Sequence, residues 1–170
     1  FRLRFDRRAG SVGSGCPWFG ADGPRDFEGL VLRANAGDSW LDSDGRRRGR
    51  ALYLRDEWMR TSLGAMGYPY ARGAFVHLYL NGLYWGLYNA CENPELSAAA
   101  EAGATAGCDF IKAGKVERGD RVAWDRMMQL ADSGLADEQH YARLSEQLDL
   151  TEFADYLLLN FYAANADWDR

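Results

Sequence analysis

The sequence predicts an α+β protein, an antiparallel sheet organised around one hairpin and followed by a helical lobe, on three observations. Residues 74–90 hold two alternating apolar runs on either side of Asn81-Gly82, the pattern of a two-residue type I′ turn. From about residue 116 the apolar residues change to helical spacing. With 170 residues, 47% of them hydrophobic, the chain is also long enough to bury a core, and nothing in its composition points to disorder.

Taken in order, Phe1, Leu3 and Phe5 alternate with Arg2, Arg4 and Asp6, which reads as a short half-buried strand. Residues 9–26 are rich in Gly, Ser and Pro and read as an irregular loop. A second strand is expected at 29–33, then a long polar loop over 34–50 that contains Arg46-Arg47-Arg48, either a grip for an acidic partner or a solvated face. Leu54, Trp58 and Met66 fit one face of a helix over 52–66, stopped by Gly67 and Pro69.

The hairpin has a definite expected register. A two-residue turn sets Leu80 against Leu83, Leu78 against Trp85 and Val76 against Leu87 on one face. The other face then carries Tyr79 against Tyr84, His77 against Gly86 and Phe75 against Tyr88, an aromatic shelf with a gap at Gly86 where backbone could approach a ligand. That shelf equally well packs under a helix, and a lone strand histidine such as His77 has an ordinary structural explanation.

Residues 109–112 read as a short strand that leaves Lys112 at its end. Three helices follow. Trp124, Met127, Met128 and Ala131 mark the first. Asp137 caps the second, whose stripe is Tyr141, Leu144 and Leu148. Asp149 and Glu152 form a capping-box-like start to the third, which is apolar almost all round and is expected at the centre of the helical lobe.

Several function classes are excluded at this stage. The net charge of −5, from 25 acidic and 20 basic residues spread along the chain, provides no field for a nucleic acid. The longest apolar stretch, 156–164, is interrupted by Asn160 and is far below the roughly 18 to 20 residues of a membrane span. Cys16, Cys91 and Cys108 are an odd number without metal-ligand spacing, so they indicate neither a zinc site nor a disulfide framework. The chain begins at Phe1 without an initiator Met or signal-peptide pattern and stops at Asp169-Arg170, and both ends are read as cuts in a longer protein.

Strands with a hairpin, a strand bearing a lysine, and a buried helix leading into Asn165-Ala166-Asp167-Trp168-Asp169 follow the order of a kinase-like fold. In such folds a sheet lobe covers the nucleotide, a strand lysine meets its phosphates, and a buried helix delivers the catalytic loop. Phosphoryl transfer needs cations on the phosphate oxygens, acids that bind metal, and a carboxylate that accepts or orients the incoming hydroxyl.

Four segments resemble the spore-coat CotH kinase family. They are Leu30-Val31-Leu32-Arg33, Tyr53-Leu54-Arg55-Asp56, the hairpin from Val76 to Tyr88 with Glu92 four residues on, and Asn160 through Asn165-Ala166-Asp167-Trp168. The hairpin string Tyr-Leu-Asn-Gly-Leu-Tyr-Trp-Gly-Leu-Tyr is the most specific piece, and the order of the segments is the family's. The resemblance implies an atypical, truncated kinase-like fold over 1–170. Residues 1–115 would form a mainly β nucleotide-covering lobe, and 116–170 the start of a helical lobe ending in the catalytic loop. It further implies a secreted, cell-surface or coat protein kinase that uses ATP with Mg²⁺ or Mn²⁺ to phosphorylate Ser or Thr of a protein substrate.

Roles carry over by position only. Lys112 would meet the nucleotide phosphates and Asp167 would be the catalytic-loop aspartate. For Glu92 three roles stand side by side: partner to Lys112, help in positioning metal, or closure of the hairpin. Gly86 would join the nucleotide-binding surface. Arg33, Arg55 and Asp56 also match, and an ion pair fastening helix to sheet explains them as well. The sequence departs from kinases in lacking a G-x-G-x-x-G loop, so the hairpin with Gly82 and Gly86 would have to take its place. The metal-binding Asn and the further acid are expected beyond Arg170, so residues 1–170 alone are expected to be inactive. A non-catalytic coat or surface module with the same fold, and a glycan binder using Tyr79, Tyr84 and Tyr88, remain as alternatives.

Overall fold

The computed structural model describes residues 1–4, 17–20, 23, 29–93, 108–166 and 168. The chain separates into two compact units, Phe1–Ala102 and Gly103–Arg170. Among the described residues, no helix is long and apolar enough to cross a membrane.

The first unit holds a four-stranded antiparallel sheet in the order β1-β2-β4-β3, with β1 at Arg2–Arg4, β2 at Gly29–Arg33, β3 at Gly73–Leu80 and β4 at Leu83–Glu92. Strand β4 lies between β2 and β3, so its end, Asn89 to Glu92, is buried on both faces. Between β2 and β3 come a 3-10 turn (Ala36–Asp38), the short helix α1 (Gly45–Arg48) and helix α2 (Arg55–Ala65). Helix α1 interrupts what the composition suggested was loop. It starts because the Asp44 carboxylate accepts the Arg46 N–H at 2.8 Å, an ordinary N-cap.

The Asn81-Gly82 turn forms as expected, with Asn81 at φ 50° and Gly82 at φ 80°. Leu80–Leu83 and Tyr79–Tyr84 pair as predicted, but the register then slips by one. Leu78 faces Gly86, His77 faces Leu87, Val76 faces Tyr88 and Phe75 faces Asn89. Trp85 is therefore the extra residue of a β-bulge, and Gly86 beside it takes φ 138°, a conformation that glycine adopts without a Cβ clash. The consequence is a change of face. Tyr79, Tyr84 and His77 stay together, with His77 Nδ1 3.1 Å from the Tyr84 hydroxyl. Tyr88 moves to the opposite face and packs against Phe1 at 5.8 Å, so the expected shelf of Tyr79, Tyr84 and Tyr88 does not exist as one surface.

Helix α2 corrects a second expectation. Leu54, Trp58 and Met66, read as one face of this helix, are all exposed. The face that meets the sheet is polar: Glu57 and Arg60 contact Asn89 of β4, with Arg60 Nη2 donating to Glu57 Oε2 at 2.6 Å and Asn89 Nδ2 donating to the same oxygen at 2.8 Å. Arg60 Nη2 also donates to Asn89 Oδ1, and Nη1 to the Ala71 carbonyl. Gly73 of β3 permits this approach, because a Cβ there would lie 2.2 Å from Glu57 Oε2. The expected ion pair is present, Arg33 Nε to Asp56 Oδ2 at 3.2 Å, but its side chains are partly exposed rather than buried. Arg55 turns to Asp38 instead.

The second unit begins with a hairpin absent from the sequence reading, β5 (Phe110–Lys112) and β6 (Lys115–Arg118), turned by Ala113 at φ 48° and Gly114 at φ 74°. Helices α3 (Val122–Asp132), α4 (Glu138–Ser145) and α5 (Leu150–Tyr162) follow. The two caps are as expected: Asp137 accepts from Gln139 and His140, and Asp149 from Thr151 and Glu152. Helix α5 is not the buried centre it was expected to be. Among its described side chains only Asn160 is buried, while Leu158, Phe161 and Tyr162 are 62%, 63% and 82% exposed.

Candidate functional site

Lys112 closes β5 opposite Lys115, immediately before the Ala113-Gly114 turn. Its side chain is exposed, and it has no ion-pair partner among the described residues. Next to it in sequence, Asp109, Phe110 and Ile111 line a cleft of about 490 Å³ with Trp124 and Met127 of α3 and Gln147. The cleft is open and its walls are mainly apolar, and Lys112 is not among the residues that line it. Asp109 is occupied with structure: its Oδ1 accepts the Asp120 N–H at 2.8 Å, and Gly119 opposite leaves it the space.

Asp167 lies outside the described residues; the turn that precedes it is well defined. Helix α5 ends in a Schellman motif, with the Ala164 N–H on the Phe161 carbonyl at 3.1 Å and the Asn165 N–H on the Asn160 carbonyl at 3.0 Å. Asn160 is 1% exposed. Its Nδ2 donates to the Tyr156 carbonyl at 2.8 Å, and its Oδ1 accepts from Asn165 Nδ2 at 2.8 Å. Trp168 then sets its ring edge-on to Tyr156 and Phe161, at 6.1 and 5.6 Å.

Glu92 belongs to the first unit, at the buried end of β4. It accepts the Arg72 N–H at 2.8 Å and faces the Arg72 guanidinium at 3.4 Å. Of the roles considered for it, closure of the β3–β4 pair has a described partner. Gly86 is a glycine because of its backbone angle: a Cβ there would touch only Tyr88, at an ordinary 3.6 Å. The sequence reading missed Arg72 as the partner of Glu92, and it missed the Asn160–Asn165 pair. Only the latter had a local signal, two asparagines five apart across a helix end.

Two buried groups of the first unit, Tyr53 and Cys91, are perturbed for reasons of burial. Burial pushes the Tyr53 hydroxyl above its ordinary value, and that hydroxyl donates to the Leu87 carbonyl. Burial likewise raises the Cys91 thiol, which points to the Val31 carbonyl and is held unreactive.

Among the described residues, no group of three His, Cys, Asp or Glu converges to hold a metal ion. No metal ligand is assigned from the described residues.

Nothing among the curated proteins or the solved structures matches this chain. The family model described as CotH kinase protein matches residues 23–169, from ahead of β2 through α5 and beyond. An α+β chain whose antiparallel sheet leads into helices, matched over nearly its whole length, belongs to the CotH kinase protein family.

Proposed function

We propose that the protein carrying this domain is a phosphotransferase that moves the γ-phosphoryl group of ATP to Ser or Thr hydroxyls of coat or cell-surface proteins. Family membership over residues 23–169 is the observation that carries this reading. In the proposed step the substrate hydroxyl oxygen bonds to the γ-phosphorus, the bond from that phosphorus to the bridging oxygen breaks, and ADP leaves. The Asp167 carboxylate accepts the hydroxyl proton, and the Lys112 ammonium neutralises phosphate oxygens. Mg²⁺ or Mn²⁺ is the expected companion of the nucleotide.

The test is transfer of radiolabel from ATP to a coat or surface protein by the full-length protein, beside its Asp167→Asn and Lys112→Met variants. Both variants are expected to lose about 100-fold or more in rate. Equal incorporation by Asp167→Asn and wild type would remove Asp167 from the mechanism. A non-catalytic coat or surface module draws support from the exposed cluster of Tyr79, Tyr84 and His77 at the hairpin tip. That reading is selected if the wild type binds its partner and incorporates no label.

A further inference from the structure

The arginines of residues 45–50 stand on a turn that is fixed more firmly than a solvated loop requires. The carbonyls of Arg50 and Ala51 and the N–H of Leu52 are each taken by a side chain: Arg55 Nη2 at 2.7 Å, Trp40 Nε1 at 3.0 Å and Asp38 Oδ1 at 3.0 Å. Asp38 is in turn held by Arg55, and the Trp40 ring stacks on Tyr53 at 5.6 Å. At the other end Asp44 caps α1, and Arg48 Nη1 donates to the Asp42 carbonyl at 3.0 Å. Pinning three successive residues holds the preceding turn in one conformation, so its side chains are presented without the entropy cost of ordering the backbone on binding.

The turn presents positive charge. Four of the six residues 45–50 are arginine, in a chain whose net charge is −5. Helical hydrogen bonding carries on past α1, with the Arg50 N–H on the Arg47 carbonyl at 3.0 Å and the Ala51 N–H on the Arg48 carbonyl at 3.4 Å. That spacing brings Arg46 and Arg50, four apart, to the same side. Arg47 is paired with Asp44. No carboxylate among the described residues lies within ion-pair reach of Arg46 or Arg50, and both are exposed. Like charges at this spacing oppose the turn that carries them, and an anion received between them removes the opposition.

We propose that Arg46 and Arg50 form a docking site for a carboxylate-rich segment of a partner protein. A planar guanidinium takes a carboxylate through two parallel hydrogen bonds, and it is weakly enough hydrated to give up water for one. An extended acidic chain lies along the arginine side of the turn alone. A flat bilayer of anionic lipid would also have to accommodate Asp42 and Asp44, both within four residues of Arg46. Trp40, the side chain best suited to a lipid interface, is held against Tyr53 and the Ala51 carbonyl. The site stands apart from the phosphotransferase reading, since it is defined by binding and includes neither Lys112 nor Asp167.

The test measures binding of the full-length protein to a fluorescein-labelled decapeptide of alternating Glu and Gly, read by anisotropy at low salt. Expected is saturable binding that weakens as salt rises, with no binding of the matching Gln and Gly peptide. Arg46→Gln with Arg50→Gln should weaken binding about 10-fold. Arg46→Lys with Arg50→Lys should weaken it about threefold, because the charge stays and the fork is lost. Arg126→Gln with Arg143→Gln makes the same change in charge on exposed arginines of the second unit, and should leave the Kd within about twofold. Relief of like-charge repulsion should keep the Tm of the Arg46→Gln, Arg50→Gln variant at or above that of wild type. The Lys variant keeps the test available if the Gln variant does not fold. The proposal is overturned if the wild type does not bind the acidic peptide, or binds the neutral one equally. It is also overturned by a Kd within twofold of wild type for Arg46→Gln with Arg50→Gln, or by an equal loss in the Arg126, Arg143 variant. Arginine-dependent binding to phosphatidylcholine vesicles containing phosphatidylserine, in place of the peptide, overturns it in favour of a membrane partner. Failure of radiolabel transfer leaves this site standing, and failure of peptide binding leaves the phosphotransferase reading standing.

Discussion

Helix α2 in the first unit and helix α5 in the second are fastened in opposite ways. Helix α2 is held by its flank: Glu57 and Arg60 dock on Asn89 of the central strand, while Leu54, Trp58 and Met66 face outward. Helix α5 has polar groups closing its own ends, Asp149 capping the first turn and Asn160 bonding within the last, while the side chains between are largely exposed. In both cases polar groups with definite partners set the geometry, since a hydrogen bond has a direction and an apolar contact has little. The difference lies in what a change would disturb. Loosening the flank of α2 weakens the packing of helix on sheet, whereas loosening the end of α5 redirects the chain that follows.

The largest effect that would break this contrast belongs to α2. Arg60→Met leaves Glu57 part-buried beside Asn89 without its guanidinium, and is expected to lower stability by about 3 kcal/mol in urea unfolding. Arg60→Met combined with Glu57→Met should recover more than half of that loss, because the uncompensated charge is gone. If Arg60→Met proves neutral, the flank network is not what holds α2. A smaller loss is expected at α5. Asn160→Leu removes two side-chain hydrogen bonds and leaves the Asn165 amide without one acceptor, costing about 1 to 2 kcal/mol by the same measurement.

Ala164→Gly sharpens the comparison in the other direction. It relieves a left-handed alanine and should raise stability by up to about 1 kcal/mol, read as a higher Tm. Gly at the same kind of position in the β5–β6 turn, Gly114, already carries no such penalty. The smallest effect concerns pH. Backbone N–H groups of His140 and then Gln139 hold the Asp137 carboxyl below its ordinary value. A lowered carboxyl contributes stability that is complete above about pH 4 and is lost as pH falls through the folded value. Helix signal followed by circular dichroism from pH 5 to pH 2 should therefore fall at higher pH in wild type than in Asp137→Asn, which keeps a cap without titrating.

How far these features could be read beforehand depends on how local their causes are. Asn81-Gly82 specified its turn and the two pairs beside it. The bulge at Trp85 could not be seen, because a bulge depends on how β4 pairs over its whole length, and Gly86 alone does not say in which direction the register slips. The caps at Asp137 and Asp149 were legible since each needs only its own next three residues. The β5–β6 turn was missed because Ala113 stands where Asn or Asp usually signals a left-handed residue. The α2 stripe was misassigned because periodicity identifies apolar residues, and the sheet face opposite offered Asn89 and the open space over Gly73 to a charged pair. In the candidate site, Lys112 and Asp167 were named through resemblance alone and their roles stay proposals, while the Asn160–Asn165 pair left a local signal, two asparagines five apart across a helix end.

By itself, then, the sequence determined the α+β class, the Asn81-Gly82 turn, the two helix caps and the family, while helix α1 and strand β6 escaped it. Tertiary structure alone decided which face of α2 meets the sheet, where the ladder slips, and that Glu92 pairs with Arg72. Each of those depends on groups brought together by folding, whose hydrogen-bonding geometry and available space are not properties of any one segment.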